Sequence, residues 1–309
     1  MKEEIKELIK DLERLSIKEN KSNFVVTFHN KPILTFNFKK SQKVFEVKNN
    51  LEKETFEIEK FDAELFKDLI DYCVSINTPV YWLDNISDLP ETEVEGFKVR
   101  SRGKSDDFII RETLKSRVYK KADVQPEDRW LDVGGNIGMF CLFLESKGCK
   151  NSVIFEPEKV NFELMKLNLS SNGIETELVQ KAVVGSGVDT VSFFMGTTPY
   201  DYSLIKKNER KKEIIVQAEN INDIIEKYDI DCLKLDCEGA EYEIIKAITP
   251  ENFKKLRKII GEYHFDFLDD VGVGTKYFEI MEILKEHFEV EATDNVKQLW
   301  NTNFFAKKI

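Results

Sequence analysis

"RWLDVGGNIGMFCLFLESKG", residues 129–148, is the stretch on which the reading of this chain turns. An apolar run ends in an acid, two glycines follow, and apolar residues then recur at helical spacing. Strand, tight turn and helix is the arrangement by which α/β folds bring backbone up to a nucleotide-like ligand. The two commonest phosphate loops do not fit. Counted from Gly134, a dinucleotide fingerprint G-x-G-x-x-G needs glycine where the chain has Asn136 and Met139. No Gly-Lys-Ser/Thr follows, so a P-loop fails as well.

What remains is Asp132, Gly134, Gly135, Asn136 and Gly138 around one turn. A carboxylate at Asp132 repels a pyrophosphate and suits a cationic ligand. S-adenosylmethionine carries a sulfonium and an ammonium and no phosphate. The glycines let backbone approach such a ligand closely.

Downstream, "SVIFEP" (152–157) reads as a strand ending in Glu156, where an acid can accept both ribose hydroxyls. Glu158 lies past the proline and should open the next helix. "ETELVQKAVVG" (175–185) reads as one strand running into a turn. Gln180 and Ala182 could meet the adenine edge there, and a plain strand end fits equally. Strands and helices then alternate through "AENINDIIEKY", "CLKLDCEGAE", "RKIIGEYH" and "KYFEIMEILKEHF" to a terminal pair, "FEVEATD" and "NTNFFAKK". Such alternation over about 200 residues argues an α/β fold, with a parallel sheet covered on both faces. The ligand is expected at the carboxyl ends of the strands, at the topological switch point.

Residues 1–95 read differently, as a smaller α+β region of substrate-recognition or oligomerisation type, with 96–309 as the second domain. Ile5, Leu8, Ile9, Leu12 and Leu15 share a helical face that suits packing or a contact with a second copy. "NFVVTFHNKPILTFNFKK" and "KVFEVKNN" read as strands, and "DAELFKDLIDYCVSI" as a helix capped by Asp62.

The chain has 309 residues and a net charge of −11. That balance argues against a protein that clamps nucleic-acid phosphates, although a local patch such as "KKNERKK" could attract an anion. No apolar run approaches the roughly 18 residues of a membrane-spanning helix. The charged N-terminus lacks a signal core, so a cytoplasmic location is expected. The five cysteines form no C-x-x-C pair and read as free thiols.

Taken in order, "LDVGGNIGMF", "FEPEKVNFELMKLNL", "KAVVG" and "LKLDCEGAEYEII" resemble the FkbM family of S-adenosylmethionine-dependent methyltransferases. The lead-in "RETLKSRVYKKADVQPEDRWLDVG" resembles that family too, with Glu112 and Tyr119 ahead of the first strand. The resemblance covers roughly residues 110–309. It implies the class I methyltransferase fold, a seven-stranded, mostly parallel sheet with one reversed strand in a C-terminal hairpin. It also implies that Asp132, Gly134, Asn136, Gly138 and Glu156 contact the cofactor. One departure is Gly135, where the family usually has alanine, a change expected to be harmless.

Methyl transfer to a hydroxyl needs alignment and usually a base or a metal. The candidates are Asp236, Glu238 and Glu241 in "KLDCEGAEYE" and Glu262, His264 and Asp266 in "GEYHFD". Alternation puts Glu262 and His264 on one side of their strand. Asp236 ends its strand facing the ligand and is expected in both the cofactor and the catalytic set. Asp236, Glu238, Glu262 and His264 could hold Mg²⁺ or Mn²⁺. Alternatively, His264 could be a base oriented by a carboxylate. The loop "GTTPYDYSLIKKNERKKE", with Tyr200, Tyr202 and Ser203, could close over the acceptor or be a plain surface loop. The expected acceptor is a sugar, glycan or glycolipid hydroxyl. Two other readings stay open: an RNA methyltransferase, and a binding or assembly protein with a retained cofactor pocket.

Overall fold

A computed structural model describes residues 15–19, 23–28, 31–39, 44–49, 55–58, 86–115, 118–195, 204, 212–264, 273–292 and 301–308. The helix expected at 62–76, all but Leu15 of the one expected at 1–15, most of the loop 196–213, His29, Asp266 and the turn between the last two strands lie outside them, and Leu15 stands in a strand instead of a helix. The chain divides into two units, Met1–Asp84 and Asn85–Ile309.

The first unit holds an antiparallel meander of β1 (Leu15–Glu19), β2 (Asn23–Phe28), β3 (Lys31–Lys39), β4 (Val44–Asn49) and β5 (Thr55–Ile58). Its β-branched and aromatic residues suit a pleated surface.

The second unit begins with a hairpin of β6 (Glu91–Val94) and β7 (Phe97–Arg100). Glu95, where a domain boundary was expected, sits in the hairpin turn with Gly96, both at positive φ. Gly96 is the turn signal of the hairpin itself, and Pro90 stands just before its first strand. Helix α1 (Lys104–Ile110) follows, then a π turn over Arg111–Lys115 and a 3₁₀ turn over Val118–Ala122.

The main sheet is built from β8 (Arg129–Val133), β9 (Asn151–Phe155), β10 (Glu177–Val179), β14 (Cys232–Leu235), β15 (Lys258–His264), β16 (Phe288–Ala292) and β17 (Asn301–Lys308). Its order is β10-β9-β8-β14-β15-β17-β16. Every neighbouring pair is parallel except those made by β17, the reversed strand of the terminal hairpin. This is the class I methyltransferase arrangement. The chain runs outward from β8 to β10 and then returns to β14, so the switch point lies between β8 and β14.

Helices α2 (Met139–Glu145), α3 (Lys159–Ser171), α4 (Ile221–Lys227), α5 (Glu241–Ala247), α6 (Pro250–Lys255) and α7 (Val273–Lys285) make the crossovers. Alternation along the strands splits the core. Leu131, Val133, Leu233, Leu235 and Ile259 face one cluster, while Trp130, Cys232 and Ile260 face another with Tyr119 and Phe140. Asp132, Lys234, Glu262 and His264 are in phase with the second set. Cys141, Cys149, Cys232 and Cys237 are free thiols.

Two details differ from the sequence reading. "ETELVQKAVVG" is two strands. Glu177–Val179 joins the main sheet, and β11 (Ala182–Val184) pairs with β13 (Lys212–Asn220) beside β12 (Thr190–Met195) in a second sheet. The chain crosses between sheets at Gln180 and Lys181, which apolar content cannot reveal. Strand β13 is concealed in the sequence because its polar start continues a charged run and its end, Ala218–Asn220, leads directly into α4. Among the described residues, no helix is long and apolar enough to cross a membrane.

Candidate functional site

The first β-α turn leaves β8 at Val133 and enters α2 at Met139. Gly134, Asn136 and Gly138 alternate in the left-handed region, with φ of 83°, 47° and 89°. Glycine takes that conformation freely, and asparagine tolerates it better than most residues. That explains the asparagine between the glycines. The Gly134 and Gly135 N–H groups both donate to Phe155 O at 3.0 Å, pinning the turn to the end of β9.

Space is as restrictive as φ. A Cβ at Gly134 would lie 1.9 Å from the Asp236 carbonyl oxygen, so the turn is pressed against the end of β14. A Cβ at Gly135 would lie 2.2 Å from Ile154 Cγ2. Alanine at 135, expected to be harmless, is therefore not interchangeable with glycine in this packing. A β-branched neighbour cannot swing its Cγ2 away cheaply.

Glu156 follows β9 and is buried. Its Oε2 accepts the Asn136 N–H at 2.8 Å and its Oε1 accepts the Glu158 N–H at 2.8 Å. Burial pushes the Glu156 carboxyl up to about 7, against the pull of those N–H donors. The Asn161 side chain donates to the same carboxylate, which leaves about one lone-pair site for a further donor. Glu158 caps α3, accepting the Asn161 N–H at 2.7 Å. Gln180 is exposed at the crossing between sheets, whereas Ala182 is buried in β11.

Asp132 and Lys234 are register partners on adjacent strands, and both are buried. Lys234 Nζ lies 3.0 Å from Asp132 Oδ1 and 3.5 Å from Asp236 Oδ2, and donates to Gly134 O at 3.0 Å. Burial pulls the lysine down, but the carboxylates of Asp132 and Asp236 outweigh it and hold it well above its ordinary value. Burial raises the Asp132 carboxyl, with Lys234 opposing. The charge of Asp132 is thus already matched inside the protein, which sequence reasoning did not foresee. Asp132 Oδ2 and Asn136 Oδ1 are buried acceptors with no hydrogen-bond donor among the described residues.

Beyond the turn, the ends of β14 and β15 gather acids around one histidine. His264 Nδ1 lies 3.1 Å from Glu241 Oε1, and Nε2 lies 3.4 Å from Glu238 Oε1 and 3.9 Å from Glu262 Oε1. Glu241 is fully buried, and its Oε1 also accepts the Cys237 and Gly239 N–H groups. Glu238 sits at φ 59°, in the tight turn before α5. Burial alone would lower the His264 pKa, yet Glu241 and Glu238 overcome it and push it up to about 10. Burial would raise Glu241, and His264 holds it below its ordinary value instead. The two partners agree on a charged pair. Glu262 is pushed up to about 8, by burial first and then by Asp236. Glu112 is raised by burial and by the same aspartate, which places the lead-in segment in the field of this cluster.

The structure therefore brings Asp236, Glu238, Glu262 and His264 together, and sets Asp236 against the Gly134 turn. Asp236, Glu262 and His264 each offer one ligand atom, all within 4.8 Å of one another. Sequence reasoning underweighted Glu241, whose helical position hid its contact with His264, and missed Lys234, which looked like an ordinary strand residue.

A family model described as the methyltransferase FkbM domain matches residues 132–289. The chain is 25% identical over 216 residues to the 31-O-demethyl-FK506 methyltransferase FkbM of Streptomyces tacrolimicus, covering 58% of this chain and 80% of that protein. It is 23% identical over 190 residues to the methyltransferase sdnD of Sordaria araneosa, covering 50% of this chain and 73% of that one. A solved structure of methyltransferase FkbM from Methylobacillus flagellatus shares 16% identity at a TM-score of 0.43, covering 80% of this chain and 55% of that one.

Proposed function

This chain belongs to the family of the methyltransferase FkbM domain, and on that premise we propose that it uses S-adenosylmethionine to methylate a hydroxyl, on a sugar, glycan or glycolipid. The observation that carries the cofactor reading is the turn with its two orphaned acceptors. Asp132 Oδ2 and Asn136 Oδ1 are buried without donors, and the ligand has an ammonium, ribose hydroxyls and an adenine amino group to donate. Glu156 is the ribose acceptor, with about one lone-pair site left after the Asn136, Glu158 and Asn161 donors. When bound, the cofactor supplies a methyl group on a good leaving group.

The acid cluster suits an oxygen acceptor. His264 is held as an imidazolium by Glu241 and Glu238, so it acts as a donor that fixes Glu238 rather than as a base. Glu262 keeps its proton to about pH 8. That leaves Asp236, whose backbone touches the turn, as the carboxylate we assign to receive the hydroxyl proton. The relative from Streptomyces tacrolimicus is named for methylation at an oxygen, which supports this choice of acceptor atom. The net charge of −11 disfavours the nucleic-acid alternative.

A second reading rests on the same donors. Two carboxylates and an imidazole within 4.8 Å suit Mn²⁺ better than Mg²⁺, because imidazole is a poor partner for the harder ion. Asp236, Glu262 and His264 would hold it, and it would supply Lewis-acid activation of the hydroxyl.

The deciding experiment is calorimetry with S-adenosylmethionine, followed by a screen of glycans, glycolipids and RNA with methyl-labelled cofactor. Label on a glycan hydroxyl, lost in Asp236→Asn with cofactor affinity kept, is the expected result. Absence of binding at high micromolar cofactor would sink the reading. Activity that survives a chelator would remove the metal.

A further inference from the structure

The glutamate assigned to the ribose does not orient itself. Its nearest side-chain support comes from α3, and that support is set by residues well upstream of the family-matched segment 132–289. Arg102 is buried between β7 and α1. Its Nε and Nη2 donate to Asp106 Oδ2 and Oδ1 at 2.9 and 2.8 Å, a bidentate pair that fixes the guanidinium plane. Its Nη1 donates to Asn161 Oδ1 at 2.8 Å. The Asn161 side chain in turn donates to the Glu156 carboxylate.

An asparagine amide has one acceptor end and one donor end, and nothing in its shape decides which way it points. Here the neighbours decide. A guanidinium offers only donors, so it takes the oxygen and leaves the NH₂ facing the carboxylate. With the amide reversed, NH₂ would face guanidinium and oxygen would face carboxylate, losing both hydrogen bonds. Asp106, Arg102, Asn161 and Glu156 form one directional chain, and all four are buried.

The same strand also reaches the glycine turn. Arg100 N donates to Asn168 Oδ1 at 2.8 Å, and Asn168 Nδ2 donates to Ile137 O at 3.0 Å. Asn161 and Asn168 are seven apart on α3, two turns along one face.

We propose that Arg102 is a positioning residue for cofactor recognition: through Asn161 it aims the Glu156 carboxylate at the ribose hydroxyls. The proposal rests on the cofactor reading above. A carboxylate aimed by this chain distinguishes ribose from deoxyribose, whereas a purely structural Arg102 leaves that preference unchanged.

The test is calorimetry with S-adenosylhomocysteine and its 3′-deoxyribose analogue, on the full chain. Wild type is expected to prefer the ribose compound by about 10–100-fold, the range for a hydrogen bond to a charged group. Arg102→Met should cut that preference to about threefold or less, with the melting temperature monitored alongside. Arg102→Lys, which still donates to Asn161, should recover most of it. Asn161→Asp is isosteric, keeps the arginine contact, removes the donor to Glu156 and sets a second carboxylate against it. It should lose the preference too, and it decides the matter if Arg102→Met does not fold. A folded Arg102→Met or Asn161→Asp that keeps the full preference overturns the proposal. Wild type that binds without preferring ribose overturns it as well, and takes away the role of Glu156. Wild type that binds neither compound removes the cofactor reading itself, a different failure visible before any variant is made.

Discussion

The two halves of the candidate site are built in opposite ways. The turn half is made of backbone. Gly134, Asn136 and Gly138 hold φ values that most residues avoid, and its N–H groups are tied to Phe155 O and Glu156. The strand-end half is made of side-chain charge. Asp236, Glu238, Glu241 and Glu262 surround His264, and their mutual fields decide which of them carry protons. A backbone site is rigid and depends on the absence of side chains. A charge site depends on their presence and shifts with pH. The first suits a ligand held by close backbone approach, and the second a reaction that depends on which groups carry protons.

Substitutions can break this contrast. Gly134→Ala attacks the turn at its tightest point, with a Cβ 1.9 Å from the Asp236 carbonyl oxygen at φ 83°. We expect a loss on the order of 3 kcal/mol or more in stability, and no detectable cofactor binding. A variant that melts like wild type and binds cofactor would show that the turn gives way, and the rigid half of the comparison would fall. Glu241→Ala attacks the other half. It strands His264 and two backbone N–H groups, which should lower stability in denaturant titrations by about 3 kcal/mol. Glu241→Gln should bring the His264 pKa down from about 10, readable from its ring resonances. An unmoved value would mean that Glu241 does not set it.

Two smaller effects sharpen the contrast. In the proposed ribose contact the hydroxyl donates to the ionised form of Glu156, whose carboxyl sits near 7. Cofactor affinity should therefore climb as pH rises toward about 7 and then level off. Glu156→Gln should bind about 10–100-fold more weakly, with no such climb. A Gln variant that follows the wild-type pH curve would transfer the role to another group.

The last effect is on the stability of chelated protein. Folded Glu262 keeps its proton to about pH 8, against 4.5 for a free glutamate, and folded His264 to about 10, against 6.5. Across those windows the folded state binds more protons than the unfolded one, so stability falls as pH rises. The His264 contribution is complete below pH 6.5 and gone above about 10. Melting temperature should decline from pH 7 to 10, and Glu262→Gln should flatten the part below about 8. A melting temperature that rises over this range would contradict the charge assignment.

The same contrast explains what could be read from sequence. The turn was legible because its constraints are local: glycine, glycine, asparagine and glycine in seven residues admit few conformations. Strand alternation gave the parallel sheet, since buried strands are written as apolar runs. The grouping of Asp236, Glu238, Glu262 and His264 followed once two strand ends were placed side by side. Three things were hidden. Lys234 neutralises Asp132 across a strand register that no short motif records. Glu241 belongs by sequence to a helix, and only the fold of its first turn swings it under His264. The split at Gln180 between two sheets depends on partners about 35 residues away, as the Ala182–Ala218 pairing shows.

The packing of Gly135 against Ile154 has a consequence for how this sequence can drift. The two residues belong to different elements, yet the glycine is not free to change before the isoleucine does. Alanine at 135 meets the Cγ2 of Ile154, so it becomes admissible only after 154 has become a residue unbranched at Cβ, such as leucine. The path to the alanine usual in the resembling family thus has a direction, with the strand changing first and the turn second. A lineage that took the steps in the other order would pass through a protein with a damaged cofactor turn.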